Sequence, residues 1–251
     1  MRHPQTILIT GASSGLGAAL ARVYAEPGVV LALTGRDSPR LEAVAAVCRY
    51  AGAQTETALI DVRDRDRMER WIREIDARRP IDLMIANAGI SAGTAGGSES
   101  VQQIRQTFGV NIEGVLNTVL PAVEVMKERG RGQIALVSSL ASFRGFPGAA
   151  GYCASKAAER VLGEGLRGEL APLGVEVSVI CPGFIRTPLT AKNGFAMPYL
   201  MEPARAAVLI KRGLARNQGR IAFPWQMYHI IQLFSILPQR LIDLLLRLGP
   251  R

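Results

Sequence analysis

The chain has 251 residues, 48% hydrophobic and 20% charged, which excludes a disordered chain and suits one large α/β domain or two small ones. Its formal net charge of +9 is carried mostly by arginine. That raises nucleic acid as a partner, yet between Arg63 and Arg79 the arginines alternate with Asp64, Asp66, Glu69, Glu74 and Asp76, the pattern of a solvated helix face, so no nucleic-acid binding is expected.

Only three apolar residues, Ile7-Leu8-Ile9, follow the polar start, too few for a signal-peptide core, so no export signal is expected. They read instead as a first strand, followed by a Gly-rich turn and a helical stretch from Ala18 to Ala25. Val29 to Leu33 is the second apolar run. Ser38-Pro39 opens the next helix, with Ser38 as N-cap and Pro39 at the first helical position. Thr57 to Ile60, Leu83 to Ala86, Ile134 to Val137, Val175 to Ile180 and Arg220 to Phe223 complete seven strands. Helical patterns fall near 64–78, 99–128, 152–171 and 202–216. Strands alternating with helices predict an α/β Rossmann-like fold, a doubly wound parallel sheet covered on both faces. No linker divides residues 1–223, which are expected to form one catalytic domain. Residues 224–251 form an extension whose sparse polar residues recur every three or four positions, giving two helical pieces with wide apolar faces, parted by Pro238. Neither is long enough to cross a bilayer. They suit packing on the chain's own body or on another subunit, or an interfacial membrane contact. Cys48, Cys153 and Cys181 show no metal-ligand spacing and no disulfide framework, so no metal is expected and a cytoplasmic location fits, with the tail admitting the inner face of a membrane.

Two constellations carry chemistry. Gly11-Ala12-Ser13-Ser14-Gly15-Leu16-Gly17 lies between the first strand and the first helix. Glycines let the backbone approach a ligand, and a helix start offers N–H groups and a positive dipole end to a phosphate. About twenty residues on, where an acid usually meets the adenosine ribose, Gly35 and then Arg36 stand instead. A guanidinium suits a 2′-phosphate, so NADP(H) is preferred and NAD(H) is the looser alternative. The second constellation is Tyr152 and Lys156, four residues apart on one helix face. An ammonium beside a phenol favours its ionisation, although such pairs also arise by chance on solvated helices.

The ordered set of motifs resembles the short-chain dehydrogenase/reductase family, in its short single-domain branch, over about residues 5 to 223. Gly11 through Gly17 resembles the cofactor turn, Asp61-Val62 the adenine-contacting pair, and Asn87-Ala88-Gly89 the motif after the fourth strand. Pro182-Gly183 with Ile185 and Thr187 resembles the segment that holds the nicotinamide. The resemblance implies a catalytic set of Asn111, Ser139, Tyr152 and Lys156. Tyr152 is then the general acid or base, Lys156 supplies charge and binds the ribose, Ser139 donates to the substrate oxygen, and Asn111 holds a relay water. Ser138 is the rival of Ser139, which the family spacing of thirteen residues before Tyr152 favours. Asp61 also suits a cap for a helix beginning near Arg63. The family commonly assembles as homodimers or homotetramers through long central helices, here about 99–128 and 152–171.

Substrate contacts are expected from loops beyond the carboxyl ends of the strands. The candidates are Ser91 to Ser100, the segment with Phe143 and Phe146 that follows Ser139, and a lid from Pro188 to Leu200. Their apolar content suits a hydrophobic, lipid-like carbonyl or alcohol, contacted by Ser139, Tyr152, Phe143 and Phe146. The competing reading is a non-catalytic cofactor sensor or membrane-surface scaffold on the same fold.

Overall fold

The computed structural model describes residues 3–92, 97–238 and 240–242. Among these, seven strands form one all-parallel sheet in the order β3-β2-β1-β4-β5-β6-β7. In chain order the strands are β1 (Thr6–Thr10), β2 (Val30–Gly35), β3 (Gln54–Leu59), β4 (Leu83–Ala86), β5 (Gly132–Val137), β6 (Val175–Pro182) and β7 (Arg220–Phe223). The helices are α1 (Gly15–Tyr24), α2 (Ser38–Tyr50), α3 (Arg65–Arg78), α4 (Val101–Phe108), α5 (Gly114–Glu128), α6 (Ala150–Leu170), α7 (Pro203–Ala215) and α8 (Trp225–Ile236). This is the expected Rossmann-like fold.

The strands β1, β2, β4 and β5 are buried along their whole length, because helices cover both sheet faces. The edge strands are more open: β3 has no fully buried residue, and β7 alternates the buried Ile221 and Phe223 with the less covered Arg220 and Ala222. Two apolar layers result. One joins Ile7, Ile9, Leu31, Leu33 and Ile85 to helices α1, α2 and α7, and the other joins Leu8, Met84, Ile134 and Leu136 to α3 and α5. Their alternation along β1 is the two-residue period of a strand. Each such aliphatic side chain contributes about 1.5–3 kcal/mol by leaving water.

The chain runs outward from β1 to β3, then returns to β4 on the other side of β1. A crevice therefore opens beyond the carboxyl ends of β1 and β4, where such sheets hold ligands.

Four local expectations change. The third strand lies a few residues earlier than expected. Helix α2 is capped by Asp37, which accepts from the Arg40 N–H at 3.0 Å, and Ser38 is already helical. Asp64, not Asp61, caps α3. The helix expected over 99–128 runs without a break from Val101 to Glu128 but widens into a π turn at Gly109–Glu113, between α4 and α5.

Helix α8 forms as expected and packs through Met227, Tyr228 and Ile231 against Leu140, Val179 and Cys181. Most of the second tail piece lies outside the described residues. No described helix is long and apolar enough to cross a membrane.

Candidate active site

The crevice has a volume of about 430 Å³ and runs from Arg36 to Ser139. At its centre Gly11 takes φ +66°, and a side chain there would meet the Ala88 Cα at 2.8 Å. Gly17 lies beneath the turn rather than on the crevice wall. A Cβ on Gly17 would stand 2.3 Å from the Gly11 carbonyl oxygen. These glycines let the turn, α1 and the end of β4 close on one another. Asn87 staples them: its Nδ2 donates to the carbonyls of Thr10 (2.9 Å) and Gly11 (3.2 Å), while Thr10 Oγ1 accepts from the Asn87 and Ala88 N–H groups.

Helix α1 starts immediately after Ser14, and no side chain caps it. Its first-turn N–H groups face the crevice region lined by Ser13, Ser14, Gly15 and Leu16, a cradle for phosphate oxygens. A dinucleotide fits this site: the turn is shaped by glycines, and its donors are left for an anion.

At the far end lie Arg36, Asp61 and Val62. Arg63 holds Asp61 with two guanidinium contacts, at 3.0 and 2.6 Å, and these hydrogen bonds lower the Asp61 pKa to about 2. Arg36 approaches the same carboxylate at 3.7 Å and remains largely exposed. Arg40 stands beside it on the wall and pairs with Asp37.

The near end gathers the second motif. Tyr152 lies on the first turn of α6, hydrogen-bonded with Ser139. Burial pushes its phenol upward, while Lys156 and Ser139 pull the other way; burial wins. Ser138 Oγ donates to the Lys156 carbonyl at 2.7 Å, so Ser138 serves the helix and Ser139 is the group beside Tyr152. Lys156 is 4% exposed and its Nζ lies 6.0 Å from the Tyr152 ring centroid. It donates to the Val137 carbonyl and to both carboxylate oxygens of Glu159. Burial opposes the ammonium, but Glu159 and Tyr152 outweigh it and raise its pKa.

Asn111 sits inside the π turn, fully buried. Its amide bonds both backbone groups of Ile90, accepting at 2.8 Å and donating at 3.0 Å, and also donates to Ser155 Oγ at 2.9 Å. It thereby ties the end of β4 to α6. Gly89 completes the packing, since a Cβ there would lie 3.2 Å from Lys156 Nζ and 3.4 Å from Asn111 Oδ1.

A family model described as short chain dehydrogenase matches residues 5–196. The chain belongs to the short-chain dehydrogenase family. This short-chain dehydrogenase is 39% identical over 240 residues to an oxidoreductase of Myxococcus xanthus (strain DK1622), covering 95% of each chain. A short-chain dehydrogenase from Sphingobium yanoikuyae, solved in complex with NADPH, is similar at 28% identity and TM-score 0.77, over 93% of this chain and 96% of that one. Another, from Mycobacterium paratuberculosis and bound to NAD, is similar at 25% identity and TM-score 0.76, over 87% of this chain and 94% of that one. The enzyme is an NAD(P)-dependent oxidoreductase.

The crevice of this dehydrogenase brings together the cofactor turn, Arg36, Asp61-Val62, Asn87-Ala88-Gly89, Ser139, Tyr152, Lys156, and Pro182, Gly183, Ile185 and Thr187. It leaves out Phe143. That ring packs edge-on against Tyr228, with the Arg160 and Arg220 guanidinium groups 4.7 and 5.2 Å from its centroid. Phe146 is not on the crevice wall either. From the lid, Pro188 and Leu189 line the crevice, whereas Phe195 packs on Phe184 and Tyr199 is exposed. Residues 93–96 of the Ser91–Ser100 loop lie outside the described residues. Sequence reasoning missed Arg40, although its position four after Arg36 on a helix start was a usable signal, and it missed Glu159, whose partner becomes visible only when the helix is packed. Arginines in and just after α3 form mixed pairs, with Arg73 bonded to Glu69 and Glu124, and Arg78 and Arg79 to Glu56.

Proposed function

We propose that the enzyme reduces the carbonyl of an apolar ketone, or oxidises the matching secondary alcohol, with NADP(H) preferred and Tyr152 as general acid or base. The observation that carries this reading is the contact of Tyr152 with Ser139 at one end of a crevice whose other end bears Arg36 and Arg40.

A nicotinamide dinucleotide supplies or accepts the hydride. The residues of this chain do the rest. Ser13, Ser14, Gly15 and Leu16 hold the phosphates. Arg36 and Arg40 take the 2′-phosphate, exchanging for it their contacts with Asp61 and Asp37, while Gly35 adds no carboxylate of its own. Asp61 and Val62 meet the adenine. Asn87, Ala88 and Gly89 border the cofactor, and Pro182, Gly183, Ile185 and Thr187 hold its nicotinamide end.

In reduction, Tyr152 gives its proton to the substrate oxygen as charge grows there, and Ser139 donates a hydrogen bond to the same oxygen. The Lys156 ammonium stabilises the phenolate left behind; its three N–H groups are held by the Val137 carbonyl and Glu159, so it binds the ribose hydroxyls by releasing one of these acceptors. Asn111 has its amide committed to Ile90 and Ser155, so its part in a proton relay falls to its remaining Oδ1 lone pair or its backbone carbonyl.

An apolar substrate suits the crevice, which Leu189, Val110 and Ile90 help to line. Helix α8 abuts it, since a Cβ on Gly183 would lie 3.2 Å from the Met227 sulfur. The outer face of α8 exposes Trp225 (67%), Leu233 (56%) and Ile236 (76%), which supports peripheral contact with a lipid surface. Replacing these three by Ser should abolish co-sedimentation with anionic vesicles; unchanged partitioning removes the membrane reading. Exposed Leu120 and Val161, on α5 and α6, suit a second copy of the chain, checked by light scattering.

The reaction itself is tested by a cofactor-coupled screen of ketones, aldehydes and acyl thioesters with NADPH and NADH. Turnover of apolar ketones, faster with NADPH, is expected. Silence across every carbonyl overturns the reading.

A further inference from the structure

Glu159 is a charged residue where helix α6 faces the sheet, 2% exposed. A buried carboxylate is costly unless it is paired, and an apolar side chain of similar volume would pack there without that cost. Its partner is Lys156, three residues earlier, whose Nζ lies 2.8 and 2.9 Å from its two oxygens. The Val137 carbonyl accepts from the same ammonium at 3.0 Å. Three acceptors thus match the three N–H donors of Lys156.

Glu159 also stands two helical turns from Tyr152 on the same face of α6, about 10 Å along the axis. The charged or titratable groups around it are few. Helix α6 supplies Lys156 and Tyr152. Strand β6 supplies Cys181, whose thiol is pushed up to about 12 by burial and is neutral. Strand β5 offers only the Val137 carbonyl, and the π turn only the neutral Asn111.

We infer that Glu159 is a positioning residue: it fixes the Lys156 ammonium against β5 and offsets its charge, so that Tyr152 holds its proton to higher pH than beside an unpaired ammonium. This rests on the reading of Tyr152 as the acid or base. The pair then works as a unit, one member stabilising the phenolate and the other limiting how far. The directions of the ionisations agree. Glu159 adds to the upward push on Tyr152, and burial lifts Glu159 itself to about 7 against the pull of Lys156.

The sign of the effect follows. Removing the carboxylate leaves more net positive charge near the phenol, so the Tyr152 ionisation moves to lower pH. A unit charge at about 10 Å in a protein interior shifts it by about one pH unit. Reduction needs the protonated phenol, so its alkaline limb begins at lower pH. Oxidation needs the phenolate, so its rise also begins at lower pH.

The test is a phenolate absorbance titration of the full chain, with and without NADP+. Subtracting the curve of Tyr152→Phe isolates Tyr152. Glu159→Gln should lower its midpoint by about one pH unit, Glu159→Leu should do the same, and Glu159→Asp should restore it to near the parent value. If the Gln variant does not fold, the Leu variant carries the test. A midpoint unmoved in a folded Gln or Leu variant overturns the inference. The titration needs no substrate, so it reads out even if acetophenone, the probe ketone for the matching pH–rate profile, is not turned over. Turnover of acetophenone with an unmoved midpoint sinks the role of Glu159 alone.

Discussion

Glu99 accepts the backbone N–H groups of Gly151 at 2.5 Å and Tyr152 at 3.2 Å. Helix α6 begins after Ala149, which has no side chain to cap it. A carboxylate from the loop before α4 therefore caps the helix that carries Tyr152 and Lys156, and its negative charge suits the helix start.

Glu99→Ala should destabilise the enzyme by about 1 kcal/mol, a fall in Tm of about 2–4 °C. It should lower kcat more than it weakens NADPH binding, because it loosens the turn that bears Tyr152. Thermal denaturation and steady-state kinetics check both effects. Glu99→Gln keeps an acceptor and should lie between the two.

Arg36 and Arg40 should govern cofactor choice. Hydrogen bonds to a charged partner contribute about 1.5–3 kcal/mol, so Arg36→Ala should raise the KM for NADPH by about 10- to 100-fold and leave NADH nearly unchanged. Equal effects on the two cofactors would contradict the 2′-phosphate role.

Gly17→Ala should abolish cofactor binding and destabilise the fold. The added methyl group meets the Gly11 carbonyl at 2.3 Å and Asn87 Nδ2 at 2.5 Å, and overpacking of this kind costs about 1–3 kcal/mol. Gly28→Ala is the control for a substitution with no neighbour to strike, although its φ of +86° brings backbone strain. NADPH fluorescence titration should show binding lost only in the Gly17 variant.

Glu159 makes stability depend on pH. Its folded pKa, about 7, lies above the ordinary 4.5 of a glutamate. Between these values the folded state binds more protons than the unfolded one, so this group's contribution to stability falls as pH rises from about 4.5 to about 7. Lys156 is protonated in both states over that range, because its folded pKa is raised above 10.5. Urea midpoints at pH 5 and pH 8 should therefore differ more in the parent than in Glu159→Gln. Equal differences would contradict a strained carboxylate.

Much of this site is legible in the sequence because its motifs are local. Gly11 to Gly17 and Tyr152 to Lys156 each lie within one turn or one helix face, and their spacing fixes their geometry. The seven apolar strands are equally plain, since burial on both faces leaves uninterrupted runs. What the sequence conceals depends on packing. Phe143 follows Ser139 closely, yet the short helical turn at Leu140–Phe143 sends its ring toward Tyr228 and two arginines. The π turn around Asn111 leaves the helical periodicity of 99–128 intact to the eye, and only the bonds to Ile90 and Ser155 reveal it. Glu99 and Glu159 look like ordinary surface acids until the loop and the helix are placed.

The central claim is that Tyr152 exchanges the proton with the substrate oxygen. The direct measurement is kcat/KM for NADPH-dependent reduction of an apolar ketone by the parent and by Tyr152→Phe, with NADPH affinity measured alongside. The phenylalanine keeps the ring and removes only the hydroxyl. A loss of about 10²- to 10⁴-fold with NADPH binding retained is predicted. A Tyr152→Phe enzyme that turns over the ketone at the parent rate would contradict the claim.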